Sequence, residues 1–190
     1  MTGAVATWAI LLGGGRSARM GRDKLSLTLD GDTLAARGVR ALLEVAASVV
    51  FVSPERPEVM GHGVVFALED PPFGGPVAGI AAGLELIDDD DAAEVYVLAG
   101  DLAAPEAVVG LLRGQGFAQD GVALVDAEGW VQYLAGRYRL GALRSLLAGE
   151  VRDRSVRRTF AVARLSLVAA GPAVTTDLDT PEQARHAGFH

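Results

Sequence analysis

Residues 5–12 (VATWAILL) form a short, nearly unbroken apolar run that stops at three glycines, Gly13, Gly14 and Gly15. A run this apolar has no polar face to offer water, so it suits a strand buried on both sides. Strands of that kind occur in parallel sheets with helices on each face. The glycines make the following turn a place where backbone N–H groups can approach a ligand closely. This segment alone therefore predicts a central strand feeding a ligand-binding loop.

The rest of the chain repeats the alternation. Residues 48–53 (SVVFVS), 64–68 (VVFAL), 94–99 (EVYVLA) and 121–125 read as further buried strands. A strand over 131–134 pairs beside the last of these through the turn at Glu128 and Gly129, and residues 165–169 add a final strand. Thr33 can cap a helix carrying Leu34, Val39, Leu42 and Leu43 at helical spacing. Further helices are expected from Pro76, from Pro105, over 139–149 and 153–160, and from Pro181. Apolar strands alternating with amphipathic helices imply an α/β fold with a largely parallel sheet. Ligands of such folds sit at the carboxyl ends of the strands. That rule selects the glycine loop, Ser53, Asp70 and Asp101, each just beyond a strand.

Composition narrows the chemistry. A length of 190 residues suits one domain over 1–190, with no internal repeat or linker. At this size a chain buries roughly 70% of its unfolded surface and needs no covalent staple. With no cysteine, disulfides, thiolate metal sites and a cysteine nucleophile are all excluded. Three histidines, two of them in the last five residues, argue against a multi-histidine metal site. The formal charge of -7 argues against nucleic-acid or polybasic membrane binding. No apolar run reaches the ~20 residues of a membrane helix. No positively charged leader precedes the first apolar run, so a cytoplasmic location is expected.

Among 17 basic residues there is one lysine, Lys24, in the segment LGGGRSARMGRDK. Arg16, Arg19 and Lys24 bring three cations close to the glycine loop, a combination suited to a polyphosphate; a plain glycine turn with a solvated basic face is the alternative. Asp101, preceded by Gly100 at a strand end, can hold Mg2+ or cap the helix beyond it. Asp177 and Asp179 flank Leu178, so an extended backbone puts both carboxylates on one side; Asp179 or Thr180 is also placed to cap the helix opened by Pro181. The acidic run 88–91 reads as a solvated turn, with a metal site as the alternative. Seven arginines between 137 and 158 make a local positive patch, suited to an anion or to solvent.

Taken together, these segments resemble the molybdenum cofactor guanylyltransferases. LGGGRSARMGRDK is similar to their LAGGxSxRMGxDK signature, and Gly75-Pro76-Val77-Ala78-Gly79 to their GPLAG segment, with Asp70 just upstream. Gly100-Asp101 matches the strand end that holds Mg2+ in that family. Gln132, Leu134, Gly136 and Tyr138 resemble its QPLxGLY strand, Gly149 and Arg152 its GxR element, and DLDTPE (177–182) its closing motif. The matches run in order along nearly the whole chain.

The resemblance implies a Rossmann-like, mostly parallel three-layer sandwich of the nucleotidyltransferase type. It implies GMP transfer from GTP to the terminal phosphate of molybdopterin, with Mg2+ as cofactor and pyrophosphate as product. By resemblance, Leu12, Gly13, Gly14, Gly15, Ser53, Asp70 and Gly75 bind the nucleotide. Arg19 and Lys24 contact the triphosphate, Asp101 carries the metal, and the arginine-rich stretch faces the pterin phosphate. Transient contacts with other cofactor-biosynthesis proteins or molybdoenzymes also follow from it. The chain departs from the pattern at Ser53, Asp177 and Asp179, where asparagine is common, and in the loop 101–105. A CTP-using or sugar-phosphate-using relative, or a non-catalytic nucleotide-binding protein, are the alternatives.

Overall fold

The first apolar run forms strand β1 (Thr7–Leu12), whose last four residues are buried. It pairs in parallel with β4 (Ser48–Val52) on one side and β6 (Glu94–Ala99) on the other. This is why it needs no polar face: strands flank it on both edges and helices cover it above and below. The computed structural model describes residues 5–13, 23–116 and 118–190.

Seven strands make the main sheet, in the order β5-β4-β1-β6-β8-β7-β9. The others are β5 (Val64–Ala67), β7 (Gly121–Val125), β8 (Val131–Arg139) and β9 (Leu165–Ala169). All run in one direction except β8, which is antiparallel to both β6 and β7. A two-stranded ribbon, β2 (Thr28–Leu29) and β3 (Asp32–Thr33), stands apart. Successive residues of β1 face opposite layers, as strand geometry requires. Ala9 and Leu11 join the core beneath α1 (Leu34–Leu43) and α3 (Pro105–Arg113). Ile10 and Leu12 join the core beneath α2 (Pro76–Leu84), α4 (Leu140–Leu146) and α5 (Val156–Phe160). The expected helix–sheet–helix sandwich is therefore present.

Thr33 caps α1 as its position suggests, its hydroxyl accepting from the Ala36 amide. Two regions differ from expectation. The strand expected over 131–134 pairs beside β7 as expected, but it continues to Arg139 and pairs with β6 on its other edge. Residues 133–135 bulge out of its pairing with β7, where Ala123 faces Gly136 and Leu124 already faces Gln132. The buried Tyr138 ring fills this bulge, its hydroxyl donating to the Tyr133 carbonyl at 2.6 Å. Phe160 of α5 packs on both rings. The second difference is helix length. The spans expected over 139–149 and 153–160 are the shorter α4 and α5, separated by a turn with left-handed Gly149 and Asp153.

After β9 the chain makes a short helix, α6 (Pro172–Thr175), and ends in α7 (Pro181–His186). Leu178, Ala184 and Phe189 form a small separate core with Leu27, Leu34 and Ala103. This cluster fastens the C-terminal segment to the loops that follow β1 and β6.

Candidate active site

The chain leaves β1 towards β4 and β5, then returns to β6 on the other side of β1. The sheet thus reverses its winding between β1 and β6, and a crevice opens at their carboxyl ends. Both strands end in a glycine here for a steric reason. A side chain at Gly100 would meet the Leu12 carbonyl oxygen at 2.7 Å; one at Gly13 would meet the Phe51 ring at 2.5 Å. Leu25, buried, wedges against both positions and fixes the height of the short 3-10 turn Lys24–Ser26.

That turn delivers the one lysine into the crevice. The Lys24 ammonium donates to Asp179 at 2.5 Å and to Asp101 at 3.2 Å, with its side chain 15% exposed. Burial works against the charge on Lys24, but the Asp179 hydrogen bond and the Asp101 charge outweigh it, so its pKa lies above the usual lysine value. Asp179 reaches this point because residues 176–178 lie antiparallel against the loop after β6. Ala103 donates to the Thr176 carbonyl, and Leu178 to that of Asp101.

Asp177 lies beside the same group. Partial desolvation by the surrounding chain pushes its carboxyl up to about 6, with the charges of Asp101 and Asp179 adding and Lys24 opposing. The residue as a whole stays exposed, so solvent screens part of that effect. The cap of α7 falls to Thr180, which forms a reciprocal capping box with Gln183. Asp179 is thereby released from capping and turned to Lys24.

Ser53 is buried and its hydroxyl is engaged within the protein, donating to the Pro54 carbonyl and accepting from Arg56. Arg56 also reaches Asp23, the residue before Lys24. Asp70 lies exposed beyond β5, at a cis bond to Pro71. Its neighbour Glu69 shapes this loop instead, accepting from the Gly74 amide. Gly75, in the left-handed region, precedes the first turn of α2. Arg152 ties the α4–α5 turn to the same loop through the Pro71 carbonyl. Within the arginine-rich stretch, Arg157 stacks on the Trp130 ring at 4.4 Å.

Gly14, Gly15, Arg16 and Arg19 lie outside the described residues. Of the remaining candidates, the structure brings Leu12, Gly13, Lys24 and Asp101 to one crevice, and sets Ser53 beside Gly13. Sequence reasoning missed Arg56 and Glu69. Arg56 carries no motif and its partner Asp23 is distant in sequence, and beyond β5 the strand-end rule selected Asp70 rather than its neighbour Glu69. The acidic run after α2 is a turn, as expected: Asp89 accepts from the Trp8 indole and Asp91 pairs with Arg144.

Among the described residues, no three acidic, histidine or cysteine side chains are arranged as a ready-made metal cage. Two carboxylates converging on one ammonium are a different device. They suit a hard cation that arrives with its substrate, because Mg2+ commonly takes one or two carboxylates and completes its shell with phosphate and water. No helix among the described residues is long and apolar enough to cross a membrane.

Comparison with known proteins identifies the family. The model of the MobA-like NTP transferase domain matches residues 9–167. A probable molybdenum cofactor guanylyltransferase from Opitutus terrae is 38% identical over 164 residues, covering 83% of this chain and 79% of that protein. A molybdenum cofactor guanylyltransferase from Xanthomonas euvesicatoria is 31% identical, covering 92% of this chain and 90% of the relative. The crystal structure of molybdopterin-guanine dinucleotide biosynthesis protein A from Archaeoglobus fulgidus superposes with a TM-score of 0.57 at 19% identity. It covers 95% of this chain and 96% of that one, and shares the fold. A nucleotidyltransferase sheet with its crevice at the β1–β6 reversal, matched over most of its length, places this chain in the MobA-like NTP transferase family.

Proposed function

We propose that the protein transfers GMP from GTP to the terminal phosphate of molybdopterin. An acceptor phosphate oxygen attacks the α-phosphorus of GTP. The new P–O bond forms as the bond from the α-phosphorus to the α–β bridging oxygen breaks, and the electron pair leaves with pyrophosphate. The observation that carries this reading is the Lys24 ammonium shared by Asp101 and Asp179 at the ends of β1 and β6. The names of the full-length relatives supply the identity of donor and acceptor.

Such a reaction asks for positioning and charge neutralisation rather than covalent help. Leu12 and Gly13, with Gly14 and Gly15 after them, offer close backbone approach to the nucleotide. Gly75 does so at the start of α2, and Ser53 and Asp70 border the nucleoside. Lys24, with Arg19, binds the triphosphate and offsets charge that develops on the leaving oxygen. Asp101 would hold Mg2+, with Asp179 at hand as a second oxygen donor. The ion would supply neutralisation of the bridging phosphates. Lys24 exchanges a carboxylate partner for a phosphate when the substrate enters, so its ammonium stays paired throughout. The arginine-rich stretch near the Trp130 hairpin receives the acceptor phosphate. On this reading residues 1–190 act as one catalytic domain in the cytoplasm.

A thermal-shift panel of GTP, CTP, ATP and UTP with Mg2+ tests the donor. A ligand confined to the native state adds about 2.7 kcal/mol of apparent stability at a hundredfold excess over its dissociation constant. GTP alone should produce such a shift, and Lys24→Ala should remove it while leaving any response to guanosine. A shift selective for CTP would move the chemistry to another base.

A further inference from the structure

Arg56 lies outside every motif that points to the active site, yet its side chain is only 14% exposed and fully engaged. It extends from the loop after β4 and makes three polar contacts among the described residues. Its Nη2 pairs with Asp23 at 2.5 Å, its Nε donates to the Ser53 hydroxyl at 3.1 Å, and its Nη1 reaches Glu58 at 3.3 Å.

Asp23 is the N-cap of the turn that carries Lys24. One of its carboxylate oxygens accepts from the Leu25 amide and the other from the Ser26 hydroxyl. Ser53 in turn sits against Gly13, whose amide donates to the Val52 carbonyl at the end of β4. Arg56 therefore links the end of β4 to the cap of the lysine turn. Leu25 sets how high that turn sits above the sheet, and Arg56, by holding the cap, sets how it is rotated.

We infer that Arg56 is a positioning residue for Lys24: through Asp23 it fixes the direction in which the lysine ammonium meets the triphosphate. A guanidinium suits this task because its planar fork holds a carboxylate and a hydroxyl at once, in one rigid geometry. Lysine in its place gathers its donors on a single nitrogen and cannot reproduce the planar fork that spans the carboxylate and the hydroxyl. The inference rests on the reading of Lys24 as a triphosphate ligand, and the experiment separates the two.

Binding of GTP and of guanosine, with Mg2+, is measured for the wild type, Arg56→Ala, Arg56→Lys, Lys24→Ala and the double variant Arg56→Ala/Lys24→Ala. Arg56→Ala should weaken GTP binding about ten- to hundredfold, the range expected on losing a charged hydrogen-bond partner, with guanosine within about twofold. Arg56→Lys should recover part of the loss. In the Lys24→Ala background, Arg56→Ala should have no further effect on GTP, because its target is already gone. Asp23→Asn, which keeps a competent cap but loses the ion pair, should reproduce Arg56→Ala and serves if that variant does not fold. Unchanged GTP binding in Arg56→Ala or Asp23→Asn overturns the inference, as does an equal loss with and without Lys24. A wild type that binds no GTP, or a Lys24→Ala variant that binds it normally, overturns the underlying reading instead.

Discussion

Replacing Gly100 by alanine places one methyl group at the point where the sheet hands over to the site. The new Cβ would lie 2.7 Å from the Leu12 carbonyl oxygen and 3.0 Å from a Leu25 methyl. Carbon and a backbone oxygen do not tolerate the first distance, and Leu12 cannot swing aside because its carbonyl accepts from the Gly100 amide at 2.8 Å. The ends of β1 and β6 must therefore part by several tenths of an ångström. Forced overpacking of this kind costs about 1–3 kcal/mol. For a domain of this size each kcal/mol lowers Tm by about 2–4 °C, so a fall of about 2–12 °C is expected. Asp101 follows directly in sequence, so the same displacement moves it from Lys24, and turnover should fall further than stability explains. Gly110 provides the control. It lies in α3 with no atom within 4 Å of an added Cβ, so Gly110→Ala should gain up to about 1 kcal/mol from helix propensity and leave turnover unchanged. Calorimetric Tm and steady-state transfer on both variants settle the matter. A Gly100→Ala protein with wild-type Tm and turnover would refute the claim that this contact sets the crevice.

Two further outcomes follow from the same structure. Phe160→Ala removes the ring, wholly buried, that packs on both Tyr133 and Tyr138 and should cost about 3–5 kcal/mol in denaturant titration; a loss below about 1 kcal/mol would mean that the β8 bulge does not depend on it. Asp177, whose carboxyl is raised to about 6, favours its neutral form in the folded protein. Its contribution is present below the unfolded value of 3.8 and is lost as pH rises through about 6, so the Tm of metal-free wild type should fall relative to Asp177→Asn across that window. Parallel Tm curves for the two proteins would contradict the assignment.

Much of the fold was legible because the decisive signal is local. Strands β1, β4, β5, β6, β7 and β9 are short apolar runs closed by glycine, proline or polar residues, and their periodicity does not depend on distant neighbours. Strand β8 was read too short because its bulge interrupts the alternation with Tyr133, Leu134 and Ala135, and its place between β6 and β7 is a matter of long-range pairing. The site was legible where residue types are rare or stand at strand ends: the one lysine, Gly100 and Asp101. It was less so where a role is shared over distance. Thr180 rather than Asp179 caps α7, and Asp179 faces Lys24 because residues 176–178 lie against the loop after β6, a contact between segments far apart in sequence. Arg56 carries no motif, and its pairing with Asp23 spans 33 residues.

On the proposed function, Lys24 and Asp101, brought together at the β1–β6 reversal, serve GMP transfer to molybdopterin. The direct measurement is the formation of guanine dinucleotide from α-labelled GTP and molybdopterin with Mg2+, followed together with pyrophosphate release. The wild type should give both products in equal amounts, and Asp101→Ala, folded by circular dichroism, should give neither at a comparable rate. Label appearing in the dinucleotide at an undiminished rate with Asp101→Ala, or no label transferred by the wild type, would contradict the account.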